Sequence, residues 1–193
     1  VSGQSNHAGT TPMRLRHDAG YAASAIATFL RGLAKDMGGD QVATVGKIDL
    51  KPNLINVIAS EAVVTVDLRN TDDALLKQAQ QQLSAFLARL SKDEGVDVHT
   101  RELVRLAPVQ FDSALVQMIQ DHASELDLTC RTMTSGAGHD AQMLARICPA
   151  AMIFVPSVGG VSHNPAEHTE PEDLVAGANV LLRTLWQLAN EHS

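Results

Sequence analysis

The chain has 193 residues, a formal net charge of -7 and 45% apolar residues, enough for one large domain or two small ones around a packed core. No apolar run approaches the roughly 20 residues of a membrane span, and the scattered lysines and arginines argue against nucleic-acid and membrane partners. Cys130 and Cys148 are too few for a disulfide framework and no signal peptide is visible, so buried structural thiols and a cytoplasmic setting are expected.

Val1–Asn6 reads as a first strand. Ala22, Ile26, Phe29, Leu33 and Met37 fall at helical spacing and predict a helix over Ala19–Met37, stopped by Gly38-Gly39. Val42–Ile48 and Ala62–Leu68 are β-rich runs on either side of Pro52. A second helix carries Leu76, Ala79, Leu83, Phe86 and Leu90 on one face and ends at Gly95, and Val96–Leu103 reads as another strand. The order β-α-β-β-α-β is the ferredoxin-like pattern, a sheet with both helices on one face. It fills a first domain over residues 1–108.

Pro108 marks a change of character, and residues 109–193 form the second expected domain. Asp112 and Ser113 suit the cap of a helix carrying Leu115, Ile119 and Leu126. A short strand near Cys130–Met133, a loop over Ser135–Ala141, a helix near Ala141–Ile147 and a buried parallel strand at Ala150–Val155 follow. Thr169-Glu170-Pro171-Glu172 reads as a capping box for the last helix. Its predicted apolar face is Leu174, Ala178, Leu181, Leu185 and Leu188. The alternation belongs to a parallel α/β sheet, of which this chain supplies only part, so an open sheet edge is expected.

Four stretches carry candidate chemistry. Gly159-Gly160-Val161-Ser162-His163-Asn164-Pro165-Ala166-Glu167 puts His163 in a small-residue loop straight after an apolar run. Chemistry gathers at the carboxyl ends of such strands, and neutral imidazole is the commonest ligand for zinc-like ions. A lone loop histidine more often bonds backbone, and a catalytic zinc needs at least about three protein ligands; the sequence has neither HExxH nor a Cys/His cluster. In Ser135-Gly136-Ala137-Gly138-His139-Asp140-Ala141, the glycines would let backbone amides approach a ligand. They equally suit a turn, with Asp140 capping the next helix and His139 free to donate to a substrate carbonyl or carboxylate. Asn6-His7-Ala8-Gly9-Thr10-Thr11-Pro12-Met13 places His7 beside a turn. Pro52-Asn53-Leu54-Ile55-Asn56-Val57 and Asp67-Leu68-Arg69 place Asn56 and Arg69 around a strand pair, where an exposed arginine is ordinarily a solvated charge.

Taken in order, these stretches resemble the M20-type metal-dependent aminoacylase and amidohydrolase superfamily. The nearer match is the branch of allantoate amidohydrolases and N-carbamoyl-L-amino-acid hydrolases, and it runs almost end to end. The resemblance implies that His163 is a metal ligand. The other ligands and the glutamate base would come from sequence preceding Val1, with two metals per site, zinc or manganese. His7 would reach from a lid and dimerisation domain into the partner subunit's active site to stabilise an oxyanion. Arg69 would grip a substrate carboxylate in bidentate fashion. Asn56 would bind the amide or ureido group, and Ser135, Gly136, Gly138 and His139 would line the substrate.

On this resemblance, residues 1–108 are the lid of a homodimer and residues 109–193 the C-terminal portion of a catalytic domain. The parent enzyme would use metal-activated water on a ureido or amide bond of allantoate or an N-carbamoyl-L-amino acid, with a lean to allantoate. The chain alone would be inactive and metal-poor. The alternatives are a peptidase or N-acyl-amino-acid deacylase of the same superfamily, and a non-catalytic dimerisation module. His17, His99, His122, His168 and His192 lie outside the motifs and are expected to be solvated or structural, and Glu167 is given no catalytic role.

Overall fold

The computed structural model describes residues 1–191; His192 lies outside the described residues. Two compact units divide the chain, Val1–Pro108 and Val109–Ser193. Both contain helices and extended segments, so the α/β class expected from the sequence is the observed one.

Asp18 starts the first helix of unit one. Its carboxylate accepts from the Gly20 and Tyr21 amides at 2.8 and 3.0 Å, satisfying two donors that the first helical turn leaves open. Helix α1 (Ala19–Met37) ends at Gly38, whose φ is 63°. Asp72 caps α2 (Asp73–Glu94) in the same manner, and Gly95 closes it in the left-handed region at φ 60°. Between them, β1 (Val42–Lys51) and β2 (Glu61–Arg69) pair antiparallel from Val42↔Arg69 to Lys51↔Glu61, with an irregularity between Val45 and Lys47. The Lys51–Pro52 peptide in their connection is cis.

The predicted helical stripes face one core. Ala22, Ile26, Leu30 and Leu33 of α1 meet Ala79 and Leu90 of α2, with Val64 and Leu68 of β2 packed against them. Phe29 and Phe86 stack with ring centroids 4.1 Å apart. His17 lies between Gly3 and Gly95, and a Cβ on Gly95 would come within 2.5 Å of its ring. Glycine at 95 is thus required twice, for the turn and for the histidine. His17 Nδ1 lies 3.3 Å from the Glu94 carbonyl, a structural role.

The outer strands are shorter than predicted. Val1–Asn6 forms no regular strand; Ser2 bridges both Glu61 and Asp97, and Gln4 bridges His17. The spatial order β1, β2, Ser2, Asp97 is still that of a ferredoxin-like sheet. The ladder stops because the chain turns away: Gly3 donates to the Ser60 carbonyl, whereas Gln4 donates to that of His17. Of the predicted strand Val96–Leu103, only Asp97 is in a bridge. Leu103 and Val104 are exposed, and Arg105 pairs with Asp73 of α2.

In unit two, the Asp112 carboxylate accepts from the Leu115 amide at 2.9 Å and starts α3 (Ser113–Glu125) as expected. Helix α4 (Asp140–Leu144) and helix α5 (Pro171–Glu191) follow. The predicted strands Cys130–Met133 and Ala150–Val155 join no ladder among the described residues. A parallel strand needs flanking strands to take up its amides and carbonyls. Here the Ala150 carbonyl accepts from the Asp112 amide instead, and Val155 lies against Gly177 of α5.

Three further expectations change. Cys130 and Cys148, expected as buried thiols, are both exposed. Helix α5 starts one residue later than a Thr169 cap requires: the Leu174 amide closes on the Glu170 carbonyl, with Pro171 at the first helical position, where its missing N–H is harmless. The predicted face of α5 is also not the buried one. Val180 and Thr184 are buried, while Leu174, Leu181 and Leu185 are exposed. Helix α5 packs on α3, and its predicted stripe is apolar but largely exposed.

Candidate functional site

The His7 turn is closed by its own residues. The Thr11 hydroxyl and amide both donate to the His7 carbonyl, at 2.8 and 3.1 Å. The Gly9 amide donates to His7 Nδ1 at 3.0 Å, and the ring is exposed. The turn is then tied to its surroundings on two sides. Ala8 donates to the Asn56 carbonyl and Ile58 to the Asn6 carbonyl, both at 2.9 Å, which makes His7 and Val57 a bridge pair. Arg16, which follows a short 3-10 turn at Met13–Leu15, donates to the Ala8 and Thr11 carbonyls at 2.6 and 3.1 Å. The main-chain segments that carry His7 and Asn56, far apart in sequence, are thereby joined, with His7 opposite Val57 and Ala8 bonded to Asn56.

Arg69 ends β2. Side chains two apart on a strand share a face, so Arg69 meets Asp67, with Nε and Nη2 donating to its carboxylate at 2.9 and 2.6 Å. The Arg69 hydrogen bonds hold the Asp67 carboxyl below its usual range, against partial burial, which works the other way. The same bonds raise the Arg69 pKa. The Arg69 main chain is fixed by Gln41, a buried amide that donates to the Arg69 and Val42 carbonyls at 3.2 and 2.9 Å. Any other carboxylate approaching Arg69 would have to displace Asp67.

In unit two, the Ser135 hydroxyl accepts from the Ala137 amide at 3.3 Å, and neither Gly136 nor Gly138 is crowded at its Cα. His139, not Asp140, holds the cap position of α4, and its amide donates to Gln142 at 3.4 Å. Its extended backbone leaves Asp140 as the first helical residue. The His139 ring meets Phe154 edge-on, centroids 5.8 Å apart, which ties this loop to the 150–155 segment.

His163 sits beyond a tight turn at Val158–Gly160, where the Ser157 hydroxyl donates to the Val161 carbonyl. Its φ of 55° is unusual for a residue with a Cβ. Glu167 stabilises that conformation by accepting from the His163 amide at 2.9 Å. Glu167 is thus a support for His163, and Arg16 supports His7; neither shows in periodicity or spacing, because both act on main-chain atoms of a turn. Of the remaining histidines, His122 is buried on α3, 3.4 Å from Glu125, which Arg183 of α5 also binds. His168 lies 3.7 Å from Glu170 and His99 is exposed.

Among the described residues, no group of three or more His, Cys, Asp or Glu side chains could hold an ion. His163 is a single imidazole donor, so the residues present do not make a complete metal centre. No helix among the described residues is long and apolar enough to cross a membrane.

Residues 35–187 match the peptidase family M20/M25/M40. The chain is 40% identical to the allantoate amidohydrolase of Escherichia coli, over 98% of this chain and 46% of that protein. It is 36% identical to the N-carbamoyl-L-amino-acid amidohydrolase of Paenarthrobacter aurescens, over 96% of this chain and 45% of that one. A solved amidase of the hydantoinase/carbamoylase family from Burkholderia vietnamiensis superposes with a TM-score of 0.91 at 40% identity, covering 95% of this chain and 44% of that structure. The chain spans about half the length of the curated relatives it matches.

Proposed function

The chain belongs to the peptidase M20/M25/M40 family, and we propose that it is part of an amidohydrolase that cleaves a ureido or amide C–N bond of allantoate or an N-carbamoyl-L-amino acid. The observation that carries this reading is similarity along almost its whole length to amidohydrolases of those two kinds. Amidohydrolases of this family are generally metal-dependent. In our reading His163 gives one imidazole to a divalent metal, zinc or manganese, whose other ligands lie in sequence outside this chain. The chain by itself would then be inactive.

The chain's own residues divide the remaining work. His7, exposed on its turn, donates a hydrogen bond to the oxygen on which negative charge develops. Arg69 exchanges Asp67 for a substrate carboxylate, and Asn56 takes the ureido or amide group. Ser135, Gly136, Gly138 and His139 line the substrate from unit two. Unit one serves as lid and homodimer interface, in a cytoplasmic enzyme. The family's peptidases make hydrolysis of a peptide or N-acyl amino acid the second reading.

Ammonia release by the full-length protein separates the two. Turnover of allantoate or N-carbamoyl-L-amino acids, well above that of N-acetyl amino acids and dipeptides, is expected. Efficient hydrolysis of the latter without ammonia release from any ureido substrate would reverse the assignment. A preference for allantoate over N-carbamoyl amino acids is expected within the first outcome.

A further inference from the structure

Resting on the reading that His7 serves the reaction, we infer that Arg16 is a positioning residue for His7, and that the Gly9 amide selects the imidazole tautomer that can donate. A neutral imidazole has one donor and one acceptor nitrogen. The Gly9 amide donates to Nδ1 at 3.0 Å, so Nδ1 is the acceptor and the ring proton lies on Nε2. The tautomer made in this way is the one an oxyanion requires from an exposed ring. The seat is a close one. A methyl group on Gly9 would lie 3.3 Å from His7 Cε1 and 3.5 Å from Nδ1, so any larger residue presses on the ring.

Arg16 holds the turn at two points that bracket Gly9 and Thr10. Its Nη2 donates to the Ala8 carbonyl at 2.6 Å and its Nε to the Thr11 carbonyl at 3.1 Å. Among the described residues its polar partners are these carbonyls and not a carboxylate. Charge-assisted bonds are roughly twice as strong as neutral ones, and the planar guanidinium spans both acceptors, which a lysine ammonium on its flexible stem does not. The main-chain position of Gly9, and with it the donor to Nδ1, is therefore set by a side chain seven positions further on.

The test uses the full-length protein and two readouts. In nitrogen-15 spectra, His7 of the wild type shows the Nε2–H tautomer, and Arg16→Gln and Gly9→Ala each shift it towards a mixture. In kinetics, His7→Ala lowers kcat roughly 10²- to 10³-fold, the value of one lost oxyanion donor. Arg16→Gln lowers it roughly 10- to 100-fold with KM nearly unchanged, as small misplacements do. The His7→Ala/Arg16→Gln double variant is no slower than His7→Ala. Fully additive losses, or a His7 tautomer indifferent to both substitutions, overturn the inference. If Arg16→Gln fails to fold, Gly9→Ala and Arg16→Lys decide it by the same spectra. If His7→Ala leaves kcat intact, the functional reading of His7 falls, while the tautomer measurement still judges the role of Arg16.

Discussion

In unit one, α1 and α2 lie on the β1–β2 hairpin and their leucine and alanine stripes are buried; in unit two, α5 leaves Leu181, Leu182, Leu185 and Trp186 exposed and the 150–155 segment joins no ladder among the described residues. Both units began from equally regular helical spacing. What separates them is pairing. Unit one brings its own strand partners, so the inward stripes of α1 and α2 are buried within Val1–Pro108, although residues such as Ile55, Leu103 and Val104 stay exposed. Unit two has comparable helices and an apolar segment, Ala150–Val155, that lacks neighbours on which to form a sheet. A hydrophobic pattern specifies an element, but burial of that element depends on what is placed beside it.

The sharpest way to break this contrast is to remove leucines from both. Leu30→Ala, at 1% exposure, should destabilise unit one by about 2–5 kcal/mol. Leu185→Ala, at 55% exposure, should stay within about 0.5 kcal/mol in this chain. Urea unfolding, read by hydrogen exchange at amides of α1 and α5, checks both. A large loss from Leu185→Ala would mean that α5 is covered by something in this chain.

A smaller effect is expected at Arg69. In the full-length enzyme, Arg69→Lys loses the two-point geometry and should mainly raise KM for carboxylate substrates. The cost is that of a charge-assisted bond, about 1.5–3 kcal/mol. Steady-state kinetics measure it, and an unchanged KM for the native substrate removes Arg69 from the clamp.

The smallest effect concerns the Asp67–Arg69 pair. The Asp67 pKa is lowered in the folded chain by the Arg69 hydrogen bonds. Its contribution to stability is therefore present above the ordinary carboxylate pKa and is lost as pH falls through the depressed folded value. Both side chains are about half exposed, so solvent screening keeps the effect below about 1 kcal/mol. Asp67→Asn should flatten this acid limb slightly in a stability-against-pH titration, and should leave Arg69 without its carboxylate competitor. An acid limb unchanged by Asp67→Asn contradicts the assignment.

Much of the architecture was legible in residue spacing. Helices α1 and α2, their glycine stops and the hairpin between them follow from local pattern, because capping, periodicity and strand propensity all act over a few residues. The outer strands were over-read. Strand length at Ser2 and Asp97 depends on where the chain diverges towards His17, which no local pattern states. The buried face of α5 differs from the predicted one because the helix is apolar on more than one side, and its spacing alone does not say which side is covered, here that of Val180 and Thr184. Of the candidate residues, the motifs located His7, Asn56, Arg69, His139 and His163, but not their supports. Arg16, Asp67, Gln142 and Glu167 each bind a main-chain group or a neighbouring charge, and such contacts appear only once the turns are built.

Under the proposed function, His7 and His163 serve the same reaction. Subunit mixing in the full-length enzyme tests it most directly. His163→Ala is expected to be inactive and His7→Ala to be slowed roughly 10²- to 10³-fold. Mixing them with demonstrated subunit exchange should restore part of the ammonia-releasing activity, because one site of each heterodimer then has both an intact His163 and the partner's intact lid histidine. Exchange without any recovery would contradict a lid histidine that serves the partner's site.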